Sequence, residues 1–68
     1  MPYVNIKITR EPKATREQKA EVIRRVTDAI VDVLQKDPET TFVVIEEVET
    51  DAWGVAGEST LVRRSRQH

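Results

Sequence analysis

Few residues in this chain of 68 carry chemistry. It has no cysteine, its single histidine is the terminal His68, and no glycine-rich segment reads as a phosphate loop. Nucleophilic triads and Cys/His zinc sites therefore lack their parts. The group that remains is Pro2. Cells commonly remove an initiator methionine when the next side chain is small, and loss of Met1 would leave the proline ring nitrogen as a free secondary amine. Reference α-amino groups titrate at about pH 8, and burial among apolar groups or beside cations disfavours their charged form. Such an amine keeps its lone pair free at neutral pH, as a base or nucleophile. A plainer alternative is that Pro2 only opens an edge strand, where its missing N–H does no harm.

Other candidates have equally plain alternatives. Arg10 and Lys13 flank Pro12 in one loop and read as solvated charges. Trp53 opens the glycine-punctuated stretch to Val62 and suits an interface anchor. Asp32, Asp37, Glu39, Glu46, Glu47 and Glu49 are scattered over helix and strand surfaces, so no metal or cofactor is expected from them. Tyr3 reads as packing, and Arg63, Arg64 and Arg66 as part of a basic tail over 63–68.

The elements that must position these residues follow from periodicity. Tyr3 to Thr9 alternates, with Val4, Ile6 and Ile8 on one face and Tyr3, Asn5, Lys7 and Thr9 on the other, which predicts a strand. Thr15-Arg16-Glu17-Gln18 matches a capping box. Val22, Ile23, Val26, Ala29, Ile30, Val33 and Leu34 then recur in steps of three and four, which predicts a helix ending near Gln35 or Lys36, ahead of Pro38. A second strand is expected over Thr41 to Val48, apolar on both faces at its start, and the last segment reads as a small hairpin or arm. A strand, a long crossover helix and a strand make a βαβ unit with parallel strands.

A single domain over 1–68 is expected to bury only roughly 60% of its unfolded surface. A helix covers one face of a sheet, so the other apolar face calls for a second subunit. The 11 Lys and Arg balance 12 Asp and Glu, which removes the basic field that nucleic acids and anionic membranes attract. No apolar run nears the roughly 20 residues of a membrane span, and MPYVNIKI lacks the parts of a signal peptide. The expectation is a soluble, cytoplasmic homo-oligomer with no nucleic-acid or membrane partner.

From Pro2 to about Arg64 the chain resembles a 4-oxalocrotonate tautomerase subunit, of the superfamily whose catalytic group is an amino-terminal proline. The resemblance is carried by Pro2-Tyr3-Val4, Glu17-Gln18-Lys19, Val43-Val44-Ile45-Glu46-Glu47 and Trp53-Gly54-Val55-Ala56-Gly57-Glu58. It implies an α+β fold: a β-α-β subunit with a short C-terminal hairpin arm, assembled as a hexamer, a trimer of dimers. It also implies cofactor-free keto-enol tautomerisation, with Pro2 moving a proton within a small unsaturated 2-hydroxy or 2-oxo acid. Cations would hold the substrate carboxylate, and Trp53 stands at the position of the family's aromatic wall. A Pro2-dependent hydratase or dehalogenase and a non-catalytic interaction module are the alternatives.

Two departures bear on substrate. The longer loop Arg10-Glu11-Pro12-Lys13-Ala14 lets either Arg10 or Lys13 stand for the family's first arginine, and Phe42 occupies the place of the second. An apolar ring cannot bind a carboxylate, which argues against a dicarboxylate such as 2-hydroxymuconate and for a smaller or less charged enol acid or carbonyl compound. Arg63 or Arg64 of a neighbouring subunit is the substitute cation to be considered.

Overall fold

The computed structural model describes residues 1–66, so His68 lies outside the described residues. Strand β1 spans Tyr3–Thr9 and helix α1 spans Arg16–Leu34. The capping box forms as the sequence predicts: Thr15 Oγ1 accepts from the Gln18 N–H at 3.0 Å, and Gln18 Oε1 from the Thr15 N–H at 2.9 Å. Such a cap contributes about 1 kcal/mol. The helix ends with Gln35 in the left-handed region (φ 55°). Asp37 then accepts from the Glu39 N–H at 2.9 Å and starts a single 3-10 turn, Pro38–Thr40, that delivers the chain to strand β2, Phe42–Val48.

The two strands pair in parallel, from Tyr3 opposite Phe42 to Thr9 opposite Val48. Ile6, Ile8 and Ile45 lie on the helix side, around a small apolar groove also lined by Ala14, just ahead of α1, and by Gln18, Lys19 and Val22 of α1. The outward side carries Tyr3, Asn5 and Lys7 beside Phe42, Val44 and Glu46. On the solvent side of α1, Glu21 is held down to about 2 by hydrogen bonds from Arg24 and Arg25.

Past β2 comes an arm. A 3-10 turn at Thr50–Ala52 leads to strands β3 (Gly54–Val55) and β4 (Glu58–Ser59), paired antiparallel. Ala56 and Gly57 join them with positive φ, 55° and 84°. Two such residues make the primed turn whose twist suits a hairpin, and Ala56 carries a left-handed backbone at a cost of about 1 kcal/mol. The arginines expected in a basic tail instead belong to a second helix and its C-cap: α2 spans Thr60–Ser65 and Arg66 caps it. Ser59 caps the start of α2, accepting from the Val62 N–H at 3.3 Å. Arg63 and Arg66 both pair with Glu58, which removes the repulsion that would keep a basic segment extended.

Among the described residues no side chain is fully buried. Val33 is 77% exposed and Leu34 55%, although both lie on the apolar stripe of α1. The accessible surface is 5360 Å², against about 4,400 Å² for a compact monomer of this size. The radius of gyration is 15.3 Å, where about 11 Å is ordinary. No helix among the described residues is long and apolar enough to cross a membrane.

A chain without a core is expected to gain stability on association, and its melting temperature should then depend on concentration. Roughly hundredfold dilution is expected to lower Tm by several degrees in thermal unfolding followed by circular dichroism. An unchanged Tm would show a self-sufficient monomer.

Candidate active site

Pro2 immediately precedes β1, half-buried, and its carbonyl accepts from the Phe42 N–H at 2.9 Å. That bond starts the parallel ladder and fixes the backbone on which the proline ring is carried. Met1, attached to the ring nitrogen, is 87% exposed. While Met1 remains, the nitrogen is an amide without basicity.

Arg10 sits at the other end of β1. Its N–H donates to the Val48 carbonyl at 2.8 Å, and its guanidinium meets Glu49 at 2.6 Å. Both partners are half exposed, so the pair contributes little to stability. Lys13 lines a concavity of about 690 Å³ together with Ala14, Ala20 and Ile23. Arg16 and Lys19 also line it. Helix periodicity alone hides these two cations, because they stand on the first turn of α1 as ordinary polar-face residues; only the packing of the loop against that turn joins them to Lys13.

Trp53 is half-buried in the arm, where its carbonyl accepts from the Thr60 N–H at 2.7 Å and locks the hairpin to the start of α2. The arm is tied to the Arg10 end: Arg64 donates to the Glu11 carbonyl, which also accepts from the Thr9 hydroxyl at 2.9 Å.

Parallel pairing decides how these pieces lie. Pro2 and Phe42 share one end of the sheet, while Arg10, Lys13 and the root of the arm share the other. Seven strand residues at about 3.3 Å each separate the two ends by about 23 Å. One chain therefore does not bring Pro2 together with Arg10. Any site that uses both takes them from different copies.

The loop end is held by a half-buried charge contact. Lys19 Nζ reaches Glu47 Oε1 at 2.7 Å, with the side chains 31% and 18% exposed. Glu47 Oε2 is buried and has no hydrogen-bond partner among the described residues. The Lys19 hydrogen bond outweighs desolvation and holds the Glu47 carboxyl below the usual range, with smaller help from the charges of Arg10 and Lys13.

The Tautomerase family model, described as tautomerase enzyme, matches residues 2–63. The chain is 53% identical over 66 residues to probable tautomerase K2 of Dickeya dadantii (strain 3937), covering 97% of both chains. Among solved structures, DmpI from Helicobacter pylori superposes with a TM-score of 0.85 at 37% identity, over 94% of this chain and 97% of that one. A heterohexamer 4-oxalocrotonate tautomerase from Chloroflexus aurantiacus J-10-fl gives 0.80 at 26% identity, over 90% and 95%.

A carboxyl whose folded pKa is depressed stabilises the fold above its unfolded pKa and loses that contribution as pH falls through the folded value. Glu47→Gln is therefore expected to melt below the wild type at pH 7, with the gap closing as pH drops below about 4, the ordinary glutamate range. Melting curves of both proteins across pH check this, and a gap that stays constant from pH 7 through the whole acid range would assign the cost to packing.

Proposed function

The chain belongs to the tautomerase family and is a tautomerase-type isomerase, and from that premise we propose that the amine of Pro2 is its general acid and base. The observation that carries the proposal is positional: the family match opens at Pro2, the residue that precedes β1 and bonds to Phe42. Met1 is exposed at that end and open to removal.

With Met1 gone, the Pro2 nitrogen takes the proton from the 2-hydroxy group of an unsaturated acid. The oxygen lone pair forms the carbonyl, the electron pair moves along the conjugated chain, and the protonated amine returns its proton to carbon. One base of suitable pKa performs both transfers, so neither metal nor cofactor enters the scheme. Negative charge develops on the substrate oxygen, and cations near it lower the barrier. Arg10 or Lys13 supplies that charge, and Arg10 alone offers a fork that grips a carboxylate with two hydrogen bonds. Trp53 closes the site against water.

Because Pro2 and Arg10 lie at opposite ends of the sheet, the Pro2 of one copy works with the loop and arm of another. Two copies packed head to tail meet this requirement twice over. The apolar faces left uncovered in one chain support a larger closed assembly, a hexamer built as a trimer of dimers. The hexameric Chloroflexus relative is consistent with that size.

Untagged protein should weigh one methionine less than the full translation in native mass spectrometry, in a closed oligomer. Pro2→Ala is expected to lose about 10²-fold in kcat/KM for enol ketonisation with the assembly intact. The wild-type rate should rise with pH as the amine deprotonates. Retained Met1, or full activity in Pro2→Ala, would sink the proposal.

A further inference from the structure

The residues that the ladder sets beside Pro2 in its own chain are uncharged. Tyr3 follows it in sequence and Phe42 is its cross-strand hydrogen-bond partner, so both lie within about one strand spacing, 5 Å, of its backbone. In the parallel register Tyr3 and Phe42 stand side by side on the face that no helix covers, and Val44 is the next position along β2 on that face. Tyr3 is 63% exposed and Phe42 49%, an apolar surface at the mouth of the proposed site.

The polar groups of this face are already engaged, and they lie further along the strands. The Asn5 side-chain amide donates to the Tyr3 hydroxyl at 3.2 Å and to Glu46 Oε1 at 2.5 Å. Lys7 lies 3.3 Å from Glu46. The Tyr3 hydroxyl is thus held toward Asn5, away from Pro2, and Lys7, the one cation of this face, is neutralised by Glu46. A carboxylate placed over the Phe42 ring would lose water and meet neither a charge nor a donor there, since the remaining donor of this end, the Tyr3 O–H, is drawn toward Asn5; that is unfavourable. A flat or branched apolar group placed there would exchange water for ring contacts.

Building on the Pro2 reading above, we propose that the substrate is an enol monoacid whose substituent beyond the reacting carbon is aryl or branched alkyl, and that Phe42 determines this preference. The single substrate carboxylate is left for the cations of the second copy. Phe42 and Tyr3 take the apolar end.

Two enols of the same 2-hydroxyenoic acid frame test the assignment: that of phenylpyruvate, which ends in a ring, and that of oxaloacetate, which ends in a carboxylate. Ketonisation above the uncatalysed rate is measured for wild type, Phe42→Arg, Phe42→Leu and Pro2→Ala, with oligomeric state followed by native mass spectrometry. The wild type is expected to favour the phenyl enol in kcat/KM by at least about tenfold, the scale on which an apolar pocket discriminates. Phe42→Leu should keep that order, and Phe42→Arg should shift the ratio toward the oxaloacetate enol by at least about tenfold.

A ratio that Phe42→Arg leaves unchanged, with both rates abolished in Pro2→Ala, overturns the Phe42 assignment alone. So does a wild type that prefers the dicarboxylate. Dissociation of both Phe42 variants into monomers makes the patch a subunit contact and also overturns it. Rates undiminished in Pro2→Ala, or turnover of neither enol by the wild type, overturn the Pro2 reading and this inference together.

Discussion

One helix laid on two strands cannot enclose anything. Strands lie about 5 Å apart, so the pair is no wider than the helix it faces, about 10 Å with side chains. Every apolar side chain on the flanks of α1 therefore keeps an open side, and the outward face of the sheet has no cover in the chain. The absence of any fully buried residue among those described follows from this geometry. The surface in excess of a compact monomer, about 1,000 Å², is close to what one partner buries in an interface of standard size.

The same small sheet settles where chemistry can occur. Parallel strands carry both chain starts to one end and both chain finishes to the other. Pro2 and Phe42 begin the ladder, whereas Arg10 leaves it beside Val48 and the arm departs after Glu49. An antiparallel pair would have brought the arm, though not the loop cations that follow β1, to the proline end. Here the crossover helix forbids it, so folding separates the parts that the proposed site must reunite between copies.

Charge is spent unequally at the two ends. At the loop end Lys13, Arg16 and Lys19 gather around one concavity, and the half-buried Lys19 and Glu47 pair pins the first turn of α1 to β2. Near Pro2 the sheet offers rings instead, and its one cation on that face is cancelled by Glu46. The chain thus presents an apolar surface at the proline end and a cationic one at the loop end.

What the sequence determined by itself is whatever depends on neighbours within about five residues. Alternation marks β1 with its observed ends, and Thr15 with Gln18 marks the start of α1, because a cap is a contact between residues three apart. The glycine-punctuated hairpin is legible for the same reason. Pro2 stood out because so few other groups could act, and the family resemblance supplied the rest of the candidate site. The folding of Arg63 to Arg66 into α2 and its cap was hidden, since it turns on Ser59 and Glu58 neutralising and capping a segment whose composition reads as a tail. Tertiary structure alone decided the pairings across long separations: Lys19 with Glu47, Asn5 with Glu46, Arg64 with Glu11. It also decided that the arm lies back on the loop end, where Arg64 meets Glu11, whereas the separation of Pro2 from Arg10 was already set by the length of β1.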